Sequence, residues 1–118
     1  MPVERISEAA LHQLLTGQTK EATCVIKFYS NGCEFCHALS TYYKDISDAY
    51  EELYFFAFNI DDNPDLTDEI GINGVPSITL LKTGTKNPRL KILEDPEHPH
   101  EKTWYTSNYI KKFIEKEK

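Results

Sequence analysis

A chain of 118 residues is expected to form one domain, 1–118, large enough to bury a single core without disulfide or metal staples. A net charge of −6 argues against nucleic acid, whose phosphates attract a basic face, and favours a soluble protein with protein or small-molecule partners. No apolar run approaches the roughly 20 residues of a membrane span, and Met1-Pro2-Val3-Glu4-Arg5 lacks a basic segment leading into an apolar one, so neither a membrane nor export is expected.

Ser7 is a helix-capping residue, and Leu11, Leu14 and Leu15 form an apolar stripe that stops near Gly17. Residues 23–29 read as a buried strand. From Phe35, the positions Leu39, Tyr42, Tyr43, Ile46, Ala49, Tyr50 and Leu53 keep helical spacing. The run from Tyr54 to Ile60 is almost wholly aromatic and apolar, which predicts a central strand buried on both faces. Asn63-Pro64 opens a short helix that Gly71 closes. Ser77 to Lys82 is a strand, Thr83-Gly84 a turn, and Leu90 and Ile92 alternate with Arg89 and Lys91 in an edge-like strand. A polar stretch, Glu94 to Lys102, precedes a last helix with Tyr109, Ile110, Phe113 and Ile114 on one face. A β-α-β crossover followed by a hairpin predicts an α/β domain with a central mixed sheet flanked by helices on both faces.

Cys33-Glu34-Phe35-Cys36 sits between the first predicted strand and the long helix. At a helix mouth a C-x-x-C pair is redox chemistry rather than a metal knuckle. Its two sulfurs reach disulfide distance, and the helix N-terminus stabilises the thiolate of the first cysteine. That makes Cys33 the expected nucleophile and Cys36 the resolving thiol. Three cysteines are too few and odd for a disulfide framework, so Cys24 is the leftover, expected as an inert buried hydrophobe, and the expected compartment is a reducing cytoplasm.

Four segments carry a resemblance to the thioredoxin family, spread over about residues 5–118: the strand into Cys33-x-x-Cys36; Phe58-Asn59-Ile60-Asp61-Asp62-Asn63-Pro64; Gly71-Ile72-Asn73-Gly74-Val75-Pro76-Ser77; and Lys82-Thr83-Gly84. The C-x-x-C alone is a weak signal. Followed about forty residues later by Gly-Val-Pro before a strand, it is a strong one. The resemblance implies a thioredoxin fold and a thiol–disulfide oxidoreductase that reduces protein disulfides. It implies a cis bond before Pro76, facing the cysteines, with the Val75 backbone pairing to an extended substrate segment. Gly32, Glu34, Phe35, Gly74, Val75 and Pro76 are then the substrate-binding set. Disulfide-containing proteins are the implied substrates and a thioredoxin-reductase-like donor the implied partner; no cofactor and a monomer are expected.

The departures from the family pattern are specific. The family usually has Trp before the first cysteine and Gly-Pro between the two, where this chain has Gly32 and Glu34-Phe35. The family's buried aspartate falls on Lys27, its lysine partner on Ala57, and its helix proline on Thr41. Residues 94–105 have no clear counterpart and read as an insertion beside the site. Glu34 places a negative charge next to the Cys33 thiolate, which disfavours ionisation and makes the pair more reducing; His37 and Lys27 push the other way. A neutral Lys27 amine would accept the Cys36 proton, a protonated one would hold a Cys36 thiolate, and a third reading has the ammonium reaching solvent along its stem. Lys27 is therefore the third catalytic candidate.

Competing chemistries are weaker. Cys33-x-x-Cys36-His37 is also the haem-attachment pattern, but Met1 is the only methionine and no export is expected. Zinc needs four ligands and only one C-x-x-C exists. His98 and His100, between prolines, read as a solvated loop. Trp104 and Tyr105 are either core or a lip over the cysteines, and the tyrosines at 42, 43, 50 and 54 are expected in the core with hydroxyls reaching water. The alternative function is a thioredoxin-fold interaction module with weak or no redox activity, binding through Gly74-Val75-Pro76 and the 94–105 loop.

Overall fold

A computed structural model describes residues 3–84 and 88–118; Met1 and Pro2 of the opening Met1–Arg5 stretch lie outside the described residues. The central strand is β2 (Ala22–Tyr29). It pairs in parallel with β3 (Tyr54–Asn59) and antiparallel with β4 (Ser77–Thr83). A two-residue strand, β1 (Glu4–Arg5), runs parallel to β3 on one edge, and β5 (Arg89–Ile92) runs antiparallel to β4 on the other. Among the described residues four α-helices cover the sheet: α1 (Glu8–Leu15), α2 (Glu34–Ala49), α3 (Asp65–Ile70) and α4 (Ser107–Glu117).

Strand alternation divides the core in two. Val25, Phe55, Ile78 and Leu80 pack with Leu39, Tyr43 and Ile46 of α2 and with Ile110, Phe113 and Ile114 of α4. Cys24, Ile26, Phe28, Phe58 and Leu81 face the other way, onto Leu11 and Leu14 of α1 and Leu66 of α3. The caps follow the sequence: Ser7 Oγ accepts the Ala10 N–H at 3.1 Å, Thr106 Oγ1 accepts the Tyr109 N–H at 3.2 Å, and Asn63 Oδ1 accepts the Asp65 N–H at 3.2 Å. Gly71 ends α3 in the left-handed region, φ 84°. Among the described residues no helix is long and apolar enough to cross a membrane.

Three expectations need correction. The helix stripe extending to Leu53 overshoots, because α2 stops at Ala49 and Tyr50, Leu53 return to the core through a turn. Tyr54 is not buried on both faces: it pairs with Cys24 of β2 but lies beyond the reach of β1, which meets β3 only at Phe56 and Ala57, and it is 45% exposed. The Tyr43 hydroxyl does not reach water, but lies 2.9 Å from Phe56 O and 3.1 Å from Val25 O inside the core. The sequence reading also missed β1, whose two residues carry no periodicity.

Gly84 directly follows β4 with φ 84°, and a Cβ there would lie 2.2 Å from Glu21 N and 2.3 Å from Glu21 Cα. Backbone at that distance cannot give way cheaply. Gly84→Ala should cost about 2–4 kcal/mol from left-handed strain and overpacking together. Urea unfolding should show a lower midpoint at an unchanged slope.

Candidate active site

The joint between β2 and α2 holds the reactive pair. Cys33 is the N-cap of α2, with extended backbone, and its Sγ accepts the Cys36 N–H at 3.1 Å. The two cysteines form a disulfide with their Cα atoms 5.3 Å apart. Cys33 is 9% exposed and Cys36 1%, so the first sulfur is the accessible one. Cys36 Sγ lies under it, 4.0 Å from the Phe28 carbonyl oxygen. Cys24 lies in the opposite half of the core, where burial pushes its thiol up to about 11, which leaves it protonated and inert.

The loop before Cys33 is pinned from three sides. The Asn31 N–H donates to Asp61 Oδ2 at 2.9 Å, and Asn59 Nδ2 donates to Asn31 Oδ1 at 2.8 Å. Asn59 Oδ1 accepts the Asp61 N–H at 3.0 Å, so the end of β3 braces the loop as one unit. His37 Nε2 lies 2.9 Å from the Asn31 carbonyl oxygen, a contact that requires the proton on Nε2. His37 thus orients the loop through that nitrogen. Asn59 and Asp61 were in a matched segment, but only the fold reveals that they hold Asn31.

A second wall comes from the start of β4 and the 94–105 segment. The Val75–Pro76 bond is cis. Tyr105, fully buried, sets its hydroxyl 3.4 Å from Pro76 O, and Tyr42 Oη donates to the Tyr105 carbonyl. Beside them a cleft of about 480 Å³ is lined by Gly74, Val75, Pro76, Glu94, Asp95 and Trp104 among others. Trp104 meets Phe35, from between the cysteines, edge to face at 5.5 Å between ring centroids. Trp104 is therefore the lip and Tyr105 the core residue. Of the candidate substrate-binding residues, Gly32, Glu34 and Gly74 are exposed, Phe35 and Val75 are half-buried, and Pro76 is buried. His98 and His100 are exposed, and among the described residues no group of His, Cys, Asp and Glu is arranged to hold a metal ion.

Residues 3–100 match the family model described as Thioredoxin. The chain belongs to the thioredoxin family. It is 29% identical over 83 residues to Thioredoxin AMT13 of Alternaria alternata, covering 66% of this chain and 70% of that one. It is 25% identical to Thioredoxin-2 of Pyricularia oryzae, covering 64% of this chain and 48% of that one, so it spans about half to 70% of these relatives. The structure of reduced thioredoxin pre-protein from Schistosoma mansoni superposes with a TM-score of 0.72 at 18% identity, covering 98% of both chains, which establishes the thioredoxin fold. The five-stranded mixed sheet with helices on both faces is that fold, and the redox-active disulfide of this family of oxidoreductases falls on Cys33–Cys36.

Within that thioredoxin frame the residue at position 27 is the anomaly. Lys27 pairs with Ala57 on one side and Ile78 on the other, and is 6% exposed, so most of its stem is buried against the core. Its Nζ lies 5.3 Å from the Tyr43 ring centroid and 5.5 Å from that of Tyr29. Among the described residues none of the ion pairs includes it, and no hydrogen bond joins it to Cys36. Taking an ammonium out of water costs several kcal/mol, while two aromatic faces return about 1–2 kcal/mol each at most. Desolvation therefore wins and lowers the Lys27 pKa.

The consequence for stability has a definite sign. In the window between the lowered folded pKa and the ordinary lysine value the unfolded chain binds the extra proton, so stability rises with pH there. Below that window the burial penalty is present in full. Lys27→Met should stabilise the oxidised chain at neutral pH, and its advantage should shrink as pH rises towards about 10.4, the unfolded lysine value. Urea midpoints of parent and variant measured across that range test it; parallel pH curves would show that burial does not act on the Lys27 charge.

Proposed function

We propose that the chain reduces protein disulfides by dithiol exchange, with Cys33 as nucleophile and Cys36 as resolving thiol. The observation that carries this is the N-cap geometry: the more exposed sulfur of the pair sits at the mouth of a 16-residue helix and accepts the Cys36 N–H. The Cys33 thiolate attacks one substrate sulfur, the substrate S–S bond breaks and a mixed disulfide forms. The Cys36 thiolate then attacks Cys33 Sγ, releasing the second substrate thiol and closing the protein disulfide. Each substrate thiolate leaves with a proton. A reductase of the kind that serves thioredoxins, in a reducing cytoplasm, would return the chain to the dithiol, and the chain would work as a monomer.

Two opposing charges act on Cys33. The helix N-terminus favours its thiolate by about 0.3–1 kcal/mol. Exposed Glu34 opposes it through solvent, where such pairs are worth about the same or less and are screened by salt. Glu34 thus trims the thiolate rather than abolishing it. Lys27 takes the place of the missing acid as proton acceptor for Cys36 in the resolving step. Its burial on the α2 side of β2 and its lowered pKa support this reading, since they favour a neutral amine.

Turnover of insulin with dithiothreitol is the direct test. Cys33→Ser should abolish it, and Cys36→Ser should accumulate mixed disulfides that Cys33→Ser does not. Equal trapping by both variants would overturn the assignment, and a parent chain with no turnover would favour the interaction-module reading.

For Lys27, the expected signature is kinetic. Lys27→Met should lengthen the lifetime of the mixed disulfide by about tenfold while leaving its formation largely intact, as expected for loss of a proton acceptor. Lys27→Asp should recover part of the rate. Equal resolution rates at all pH values would remove Lys27 from the mechanism.

A further inference from the structure

Trp104 has φ 67°, a left-handed backbone that a bulky residue adopts only when its surroundings impose it. The surroundings here are extensive. The Trp104 N–H donates to His100 O at 3.0 Å and the His100 N–H donates back to Trp104 O at 2.9 Å. The His100 imidazole closes the same turn, its Nδ1 accepting the N–H groups of Lys102 at 3.1 Å and Thr103 at 3.4 Å. Asp95 Oδ1 accepts the indole N–H at 3.0 Å, which fixes the ring. All of this delivers one side chain onto Phe35 and into the cleft beside Val75-Pro76. Residue 104 also lies past the 3–100 span that matches the family model.

On the other side of the disulfide the wall is missing. A Cβ at Gly32 would meet nothing within 4 Å, and no positive φ requires glycine there. The residue before Cys33 thus has open space beside it, while Phe35, after it, is walled by Trp104. Among the described residues, Glu94 and Asp95 are the only charged ones lining the cleft, and neither is ion-paired. Glu34, exposed between the cysteines, adds a third carboxylate next to Phe35, the partner of Trp104.

We propose that Trp104 is a specificity-determining wall of the substrate cleft, and that the cleft selects extended disulfide-bearing segments carrying a lysine or arginine beside the reacting cysteine. The indole attracts a cation through its ring face, and the Glu94 and Asp95 carboxylates reinforce that choice and repel acidic segments. This rests on the reductase reading of Cys33 and Cys36, and the electron transfer is the dithiol exchange already written.

The test compares two synthetic peptides with the same intramolecular disulfide, one with lysines and one with glutamates flanking a cysteine. Both are reduced by the pre-reduced full chain, with bis(2-hydroxyethyl) disulfide as a small neutral control. The expected kcat/KM ratio, lysine over glutamate, is about tenfold at low ionic strength and falls as salt rises. Trp104→Ala and Glu94→Gln should each lower the ratio by about threefold, and Trp104→Phe should keep most of it. The ratio is internal to each variant, so a general loss of activity from a loosened loop leaves it unmoved. A parent chain that reduces the small control and both peptides at equal rates overturns this inference alone, as does a ratio unmoved by Trp104→Ala. A parent that reduces neither peptide nor control overturns the reductase reading and this inference with it.

Discussion

Pairing of β2 on both sides places the chemistry in this molecule. The strand runs parallel to β3 from Cys24 to Tyr29 and antiparallel to β4 from Ala22 to Phe28, so its backbone has almost no freedom. That rigidity has two consequences. The residue after the strand's end must turn immediately, and the turn becomes the mouth of α2 with Cys33 as its N-cap. Every side chain on β2 is also assigned to one half of the core or the other, because alternation on a doubly paired strand cannot slip without inverting both halves. Position 27 is therefore committed to the α2 side whatever residue occupies it.

A lysine in that position changes the electrostatics of the core under α2 without changing its frame. A buried acid and a buried base both suffer from desolvation, but in opposite directions: the acid is pushed towards its neutral proton-donating form, and the lysine towards its neutral proton-accepting form. The rings of Tyr29 and Tyr43 supply the only charge-like partners that Nζ has on the described elements, and they are weaker than a carboxylate. The same paired strand that makes Lys27 costly to bury keeps it from escaping. A titratable group held at that cost on the strand that leads into the reactive pair is a functional candidate on physical grounds.

The 94–105 segment follows a different logic. Its position comes from side chains reaching back to the fold: Tyr42 to the Tyr105 carbonyl, Tyr109 Oη to Glu94 O at 3.1 Å, and Tyr105 beneath Pro76. Tyrosines do this well because they bury a ring while spending a hydroxyl on a backbone carbonyl that would otherwise lie unpaired. The segment is irregular in backbone yet tightly held, and the accumulated contacts support the left-handed conformation of Trp104. The Cys33-Glu34-Phe35-Cys36 segment consequently has open space at Gly32 before it and an aromatic contact at Phe35 within it.

The chain's periodicities announce α1, β2, α2, β4, β5 and α4 plainly, because each has an amphipathic or apolar pattern of sufficient length and a recognisable cap or turn. The C-x-x-C at a strand–helix joint and Gly74-Val75-Pro76 ahead of a strand likewise identify the thioredoxin fold and its reactive pair from local signals. What sequence left open depended on contacts between residues far apart in the chain. β1 is too short to carry a pattern, and the exposure of Tyr54 follows only from how little of β3 that strand covers. How deeply the Lys27 side chain is buried depended on Tyr29, Tyr43 and two flanking strands packing round it, and desolvation is a property of that enclosure rather than of the residue. The parting of Trp104 from Tyr105, lip from core, was decided by Asp95, His100, Tyr42 and Pro76, which converge on those two neighbours only when the sheet and α2 are assembled.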